Sequence, residues 1–499
     1  MTADPPGDGR RPGRKARALA VVAAGALAVG ACADAKLRAP DVRLPASFEG
    51  GQEALKTEAA PEALDAWWRL FPDPQLHTLV EEALRSAPTA RTAMARLEEA
   101  AATRRAQVLQ LLPQGNLEGS VSRQHSERTG FGDFNIPGFT NSGDTDTYSA
   151  SFNPTWELDL FGRARAARRG LGAQFDATLF NIEASRMSLA ADVAQSLFQA
   201  RSLAVQLEDA RTTVRIRTDA ARVGRIRAER GLGSRADAAR QQSDLETSQA
   251  EAERLQAALD GARRTLLVLL GRGTDPLASL PIEARVDPPP PVPATAPGLL
   301  LARRPDVREA EARLRAEAET VKIARLALFP TFTLAPGAQI SKTTGATSSL
   351  TKLWSIGVNA TLPVLDRPRL MAELRAEKAR GEQAVIAYEQ AVQNAYGEAE
   401  NTLTTLQADE ARLGLLESAE SGARFAFEAA QKGYQAGLTD LTTLLDAERA
   451  WLAARSTLTG ARSQALQDAV AAFKALGGGW NPPPLSTAVA RNASAEQTQ

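Results

Sequence analysis

Cysteine is almost missing from this chain: Cys32 is the only one, so no intramolecular disulfide can form. Histidine is nearly as scarce. His77 and His125 are the only two, and no second set of ligands at zinc spacing accompanies either. Structural or surface roles are expected for both, with no catalytic residue, no metal and no cofactor. Net charge is absent as well, since 59 Lys and Arg balance 59 Asp and Glu. No global field gathers nucleic acid, and the arginines are mixed with carboxylates instead of clustered. Aromatic residues make up only 5%. With Ala, Arg, Leu and Glu abundant, this composition suits long helices better than a compact α/β enzyme. The glycine run Gly477 to Gly479 follows a helix instead of opening one after a strand, so it reads as a helix stop and not a phosphate cradle.

The apolar run from Ala18 to Val29 is too short to span a membrane as a helix. It follows Arg10, Arg11, Arg14, Lys15 and Arg17 and precedes small residues, which is the order of an export signal. Its end, Val29-Gly30-Ala31-Cys32, resembles a bacterial lipobox. That resemblance implies a signal peptide over residues 1–31, cleavage between Ala31 and Cys32, and acylation of Cys32 at the head of a lipidated N-terminal segment, residues 32–72. Ala33, rather than Asp, follows the cysteine, which in similar lipoproteins implies delivery to the outer membrane. Arg10-Arg11 lacks the rest of a twin-arginine motif.

A chain of 499 residues exceeds a usual single core, and the sequence shows how it is divided. One unit is written twice. Leu84-Arg85-Ser86-Ala87-Pro88 matches Leu301-Ala302-Arg303-Arg304-Pro305 at an offset of 217, and Leu112-Pro113 matches Phe329-Pro330 at the same offset. Asn153 matches Asn359, Arg163 matches Arg369, and Gly231-Leu232 matches Gly437-Leu438 at an offset of 206. The 11 extra residues of the first copy fall between Pro113 and Asn153, where a glycine-rich stretch predicts a longer exposed loop.

Each copy is expected to run helix, strand, strand, long helix, return helix. The first copy is residues 73–287, with strands at about 116–158 and a helical hairpin at about 163–270. A Pro-rich linker, 288–296, leads to the second copy, 297–480, with strands at about 331–362 and a hairpin at about 369–476. The single helix that opens each copy is placed at about 73–111 and 297–328. Residues 481–499 read as a disordered tail. In the first long helix Val193, Leu197, Ala200, Ala204 and Leu207 step by 4, 3, 4, 3, a narrow seam that suits close helix packing. A helix of about 65 residues extends on the order of 100 Å, a length that suits a tube crossing an aqueous compartment.

The extended segments alternate. Trp354, Ile356, Val358 and Ala360 alternate with Ser355, Gly357, Asn359 and Thr361, and Tyr148, Ala150 and Phe152 with Ser149, Ser151 and Asn153. Such strands fit a membrane barrel with one face in lipid, and equally a soluble hairpin packed on the helices. Closure separates the two readings. Four strands cannot close a membrane barrel, so a membrane role requires oligomerisation, and three chains give twelve strands.

Together these stretches resemble the outer-membrane efflux proteins, the TolC-like family, in the lipoprotein branch that serves resistance-nodulation-division pumps (NodT-type). The resemblance rests on Trp67-Trp68-Arg69-Leu70-Phe71-Pro72-Asp73-Pro74-Gln75-Leu76, on Leu300 to Arg308 with Ala310, Glu311 and Leu314, on Trp156 to Arg163, and on Leu476-Gly477-Gly478-Gly479-Trp480. It covers about residues 44–480. It implies a mainly α chain with a membrane β-barrel contribution: a homotrimer with a twelve-stranded β-barrel in the outer membrane, a long periplasmic α-barrel and an equatorial domain. The implied function is a passive exit duct for small toxic compounds, docked through a periplasmic adaptor (membrane fusion protein) to an inner-membrane transporter of the resistance-nodulation-division type. By the same likeness Thr442, Asp446 and Arg449 belong to a periplasmic gate, and the turns Gly231-Leu232 and Gly437-Leu438 meet the adaptor. An ordinary solvated helix face with an i, i+3 ion pair is the plainer reading of Asp446 and Arg449. Pro368 stands where the family has glycine, opposite Gly162, so the second junction is expected to turn differently. A type I protein-secretion duct and a periplasmic coiled-coil adaptor or scaffold are the alternatives; the lipobox weighs against the first, and the doubled hairpin against the second.

Overall fold

The computed structural model describes residues 37–49, 64–127, 142–292, 297–345 and 348–480. The export signal, the lipobox with Ala31 and Cys32, residues 128–141 of the glycine-rich loop, residues 293–296 of the linker and the tail after Trp480 lie outside the described residues.

The first helical stretch is two helices, α1 (Pro74–Ser86) and α2 (Pro88–Leu109), where one was expected. The cause is Pro88, which lacks an N–H and pushes the residue before it out of the helical region; Ala87 has ψ 143°. Its counterpart Pro305 does the same: Arg304 has ψ 119° and separates the short α5 (Leu300–Arg303) from α6 (Pro305–Leu326). Between them run β1 (Leu117–Glu127), β2 (Ser142–Phe152), β3 (Trp156–Glu157), α3 (Arg163–Glu229) and α4 (Arg235–Leu269). After α6 come β4 (Thr331–Thr344), β5 (Ser349–Thr361), α7 (Arg367–Gln435) and α8 (Leu441–Ala475). The long helices have 67 and 69 residues and the return helices 35 each. The two strand-to-helix junctions differ, as Pro368 suggested. Gly162 takes a φ of +85° just before α3, whereas Pro368 lies inside the first turn of α7, where its missing N–H costs no hydrogen bond.

The described residues fall into two units: 37–40, 101–175 and 312–386 in one, and 41–100, 176–311 and 387–480 in the other. The first contains the sheet. β1 pairs β2, β2 pairs β4, and β4 pairs β5, all antiparallel. β3 continues β2 along β4 without a change of register, from Phe152↔Ala338 to Trp156↔Leu334. The five strands are therefore four rows, interrupted once at Pro154. There the backbones approach so closely that a Cβ on Gly115 would lie 2.7 Å from the Pro154 Cα, which only glycine tolerates. Register sorts the side chains by chemistry. One face carries Leu117 and Val121, Tyr148 and Phe152, Leu334, Ile340, Trp354, Ile356 and Val358; the other carries mostly Ser, Thr, Asn and Gln. The apolar face is not packed on the helices: Trp354 is 82% exposed and Val121 73%.

The second unit holds the main core. Trp67 is fully buried, stacked on Phe473 at 5.7 Å and edge-on to Phe71 at 5.8 Å. All five expected seam residues, Val193, Leu197, Ala200, Ala204 and Leu207, are buried. Asp73 ties this core together. Its Oδ1 accepts from the backbone N–H groups of Gln75 and Leu76, capping α1, while its carboxylate takes both arms of the buried Arg201 guanidinium from α3. Arg304 donates to the Ala475 carbonyl at 3.0 Å and pairs with Asp306 and Glu398. Trp480 donates to the Arg303 carbonyl at 2.6 Å, and Arg303 pairs with Asp65.

One buried contact is between like charges. Asp409 of α7 meets Asp468 of α8, whose carboxylate also accepts from Gln464 Nε2 at 3.0 Å. Burial first, then the hydrogen bond and repulsion from Asp468, push the Asp409 carboxyl up to about 6 against a nearby Arg412 that lowers it.

Two outcomes are expected. Arg201→Ala, which strands the Asp73 carboxylate, destabilises the protein by about 3–5 kcal/mol, whereas Arg254→Ala, on an exposed pair, costs under about 1 kcal/mol; thermal unfolding followed by circular dichroism checks this, and equal costs would refute it. The raised carboxyl of Asp409 binds its proton more tightly in the folded state. Its stabilisation is therefore complete below the ordinary carboxylate pKa and lost as pH rises through about 6. Asp409→Asn should flatten the melting temperature between about pH 4 and about pH 7 and raise it at neutral pH; an unchanged profile contradicts the shared proton.

Candidate functional site

The helix reversals of the second unit are built alike. At the end of α3 the Leu232 N–H bonds to the Arg227 carbonyl at 2.8 Å and the Gly231 N–H to the Ala228 carbonyl at 3.2 Å, with Gly231 at φ +68°. At the end of α7 the Leu438 N–H bonds to the Gly433 carbonyl at 2.8 Å and the Gly437 N–H to the Tyr434 carbonyl at 3.0 Å, with Gly437 at φ +74°. Both are Schellman caps, which satisfy the last carbonyls of a helix and need a left-handed residue. Nothing stands within 4 Å of where a Cβ would project at either glycine. Conformation, not space, calls for glycine there. The next helices restart on side-chain caps: Ser234 accepts from the Ala236 N–H at 3.1 Å and Asp440 from the Thr443 N–H at 2.7 Å. Leu232 and Leu438, which follow the glycines, are 67% and 82% exposed.

Beside these turns α3, α4 and α8 enclose a cleft of ≈ 280 Å³, with Thr442, Asp446, Arg449, Asp237, Arg240 and Asp244 in its walls. The three expected gate residues therefore share one site. Arg449 donates to Asp446 Oδ1 at 3.2 Å within its own helix and to Asp244 Oδ2 of α4 at 3.1 Å. The i, i+3 pair anticipated from the sequence is present, and a tie to the other hairpin is added.

Asp244 is shared. Arg217 of α3 approaches the same oxygen at 3.6 Å and reaches Glu448 Oε2 at 3.5 Å. Both Arg217 and Glu448 are buried. Burial pushes the Glu448 carboxyl up, while Arg217 and Arg449 pull it down. About two turns further along α8, Arg455 pairs with Asp209 of α3 at 2.7 Å and lies over the Trp451 ring, which stacks on Phe427. Through Glu448, Arg449 and Arg455, α8 is joined to both helices of the first hairpin by charge. Sequence reasoning missed Arg217, Asp244, Glu448, Asp209 and Arg455. A signal was available: Glu448 lies 18 residues before Leu466, five full turns at about 3.6 residues each, and so on the buried face of α8.

The two histidines lie elsewhere. His77 Nε2 is 2.9 Å from the Phe71 carbonyl oxygen, and His125 Nδ1 is 2.5 Å from Asp144 Oδ1 on the sheet.

Known proteins share this architecture. The chain matches the family described as outer membrane efflux protein over residues 79–272 and 296–478. It is 29% identical to the pyoverdine export outer membrane protein OpmQ of Pseudomonas aeruginosa over 83% of this chain and 87% of that one. It is likewise 29% identical to the cation efflux system protein CusC of Escherichia coli, over 91% and 97%. Among solved structures, the outer-membrane channel OprN superposes with a TM-score of 0.73 at 28% identity, covering 89% of this chain and 99% of that one; CusC superposes with 0.74 at 25%, covering 89% and 99%. With the family match spanning both halves of the chain, this protein belongs to the outer membrane efflux protein family and is an outer-membrane channel.

Proposed function

We propose that three copies of this chain form the passive exit duct of a tripartite efflux pump, reached through a periplasmic adaptor from an inner-membrane transporter of the resistance-nodulation-division type. One observation carries the reading: a four-row sheet with an exposed apolar face and unpaired edges at β1 and β5. An open edge is not tolerated in lipid. Joining β1 of one copy to β5 of the next satisfies both edges, and three copies close a twelve-stranded barrel. The same axis gathers α3, α4, α7 and α8 of each copy into a tube through the periplasm. Cys32 carries the lipid that tethers each chain to the outer membrane, after removal of residues 1–31. The relatives' names, for pyoverdine export and cation efflux, suit small solutes as cargo.

Within that duct the helix reversals form the periplasmic end. Three copies of Asp446 encircle the axis with Thr442 beside them, an acidic ring that favours cations and narrows the passage. Arg449, bonded to Asp446 and Asp244, holds the second hairpin against the first. Opening requires this contact to break. The exposed Leu232 and Leu438, held out by Gly231 and Gly437, meet the adaptor.

Expression of the full chain in a Gram-negative host, with membrane fractionation, native mass analysis and fatty-acid labelling, tests the duct. A labelled outer-membrane trimer that loses its label in Cys32→Ala is expected; a soluble unlabelled monomer would return the adaptor or scaffold reading to first place. For the gate, Arg449→Ala and Asp244→Ala should each raise single-channel conductance in planar bilayers, while Gly437→Trp should impair efflux with the trimer intact. Wild-type conductance in both charge variants rules out the Arg449 tie, and full efflux in Gly437→Trp rules out docking at that turn.

A further inference from the structure

In the unit that contains the sheet, four helix ends adjoin the strands: the ends of α2 and α6 and the starts of α3 and α7. Their sequences are unlike the chain as a whole. Residues 101–109, 157–175, 316–326 and 362–377 contain eleven Lys and Arg against seven Asp and Glu in a chain that is neutral as a whole, so this level carries a net positive charge. The carboxylates that are present are largely committed: Glu157 pairs with Arg163, Asp159 with Arg165, Glu319 with Arg169, and Glu373 with Arg369. Seven cations are left over, of which Arg104 lies over the Phe175 ring at 5.5 Å. The side chains of Arg105, Arg168, Lys322, Arg325, Arg367 and Arg375 make no ion pair or hydrogen bond among the described residues. Each is within eight residues of its helix end, so all six lie within about 12 Å of the strand-proximal ends of their helices.

Next to these cations, the connections are apolar and open. Leu365 is 95% exposed, Val364 68%, Leu160 59%, and Leu109, Leu112 and Phe161 between 41% and 49%. Phe161 packs on Phe329 at 5.3 Å. This apolar belt continues the apolar face of the sheet, which ends here at Leu117, Phe152, Trp156 and Val358. Apolar and aromatic side chains followed by uncompensated cations are what a membrane interface selects: the rings and aliphatic groups sit at the acyl boundary, and the guanidinium groups reach phosphates in bidentate fashion.

We propose that the strand-proximal helix ends form a binding girdle for anionic phospholipid headgroups of the periplasmic leaflet, with Arg105, Arg168, Lys322, Arg325, Arg367 and Arg375 as the cationic contacts. The proposal rests on the placement of the sheet in the outer membrane. The girdle fixes the depth of the sheet from its helical side. It also gives the protein a preference for lipid charge that an acyl chain on Cys32 alone does not supply, since a single lipid chain binds through hydrocarbon and is indifferent to headgroup.

The test uses the full-length trimer in detergent, offered phosphatidylglycerol and phosphatidylcholine of the same acyl composition and read by native mass spectrometry. Both lipids carry the phosphate, and only the first is net anionic. The wild-type trimer should retain phosphatidylglycerol about tenfold more than phosphatidylcholine. Exchanging all six cations for glutamine should abolish the preference with trimer mass intact, and lysine at the five arginines should keep most of it. Equal retention of the two lipids by the wild type, or a preference that survives six-fold neutralisation, overturns the proposal. Should the neutralised chain fail to assemble, the pairs Lys322→Gln with Arg325→Gln and Arg367→Gln with Arg375→Gln are read instead. Each should lower the preference several-fold, and a wild-type preference in both overturns the proposal. A wild-type chain that never trimerises in the outer membrane refutes the duct itself, whereas a trimer indifferent to lipid charge refutes the girdle alone.

Discussion

A β-sheet edge left unpaired in hydrocarbon has no water to satisfy it, and that constraint organises this protein. Among the described residues, the chain supplies four rows of strand with unpaired edges at β1 and β5 and an apolar face that the helices leave exposed. Alone, such a sheet is an aggregation hazard in water and incomplete in lipid. The assembly we propose joins copies edge to edge, and rotation of identical copies about a common axis closes the ring. The length of the chain follows from the same demand. In the duct we propose, the walls come from two long helical hairpins per copy, which add no new sheet edges.

The second unit answers a different problem, that of joining the hairpins and an N-terminal segment in one core. The residues that identify the family are concentrated there and their roles are structural. Asp73 in the opening motif caps α1 and neutralises Arg201 at once, so the start of α1 and the middle of α3 are fixed by a single carboxylate. Arg304 in the central motif holds the end of α8 by the Ala475 carbonyl, and Trp480 in the closing motif returns to Arg303. Buried pairs of this kind contribute little net stability compared with apolar packing, yet are expensive to break singly. Their effect is register: three segments far apart in sequence meet in only one way.

Much of this was legible in the sequence, for identifiable reasons. The long helices and their ends at Gly231 and Gly437 could be read because a Schellman cap requires glycine at one position, and the alternation in 354–361 because a strand has period 2. Pro88 and Pro305 served only as landmarks of the repeat and stand inside stretches read as one helix each, although the residue before proline is disfavoured in the α region. The continuation of β2 into β3 across Pro154 could not be read, because it depends on the register set by β4. The site divided in the same way. Thr442, Asp446 and Arg449 are close in sequence and share a cleft, whereas Arg217 and Asp244 come from another hairpin and enter only through tertiary packing. The family likeness suggested Thr442, Asp446 and Arg449; the side chains that meet them are set by which helices touch.

The choice of ionic contacts at the helix reversals has a physical consequence for a channel that must open. Apolar seams lose stabilisation in proportion to the area exposed, so separating two hairpins along a buried seam is costly and gradual. Charged contacts behave otherwise. The pair between Arg449 and Asp244 is partly exposed and is replaced by water with a penalty of under about 1 kcal/mol, while the guanidinium keeps its bond to Asp446 on the same helix. Deeper in, Arg217 and Glu448 are shielded, and parting them strands a buried charge on each side. Neighbouring contacts beside the reversals therefore differ sharply: water readily replaces the Arg449–Asp244 pair, whereas the Arg217–Glu448 pair resists separation. In the duct we propose, parting of the hairpin ends breaks the first of these contacts and stops at the second, so that the passage widens at its entrance while the buried seam of Val193, Leu197 and Ala200 stays closed.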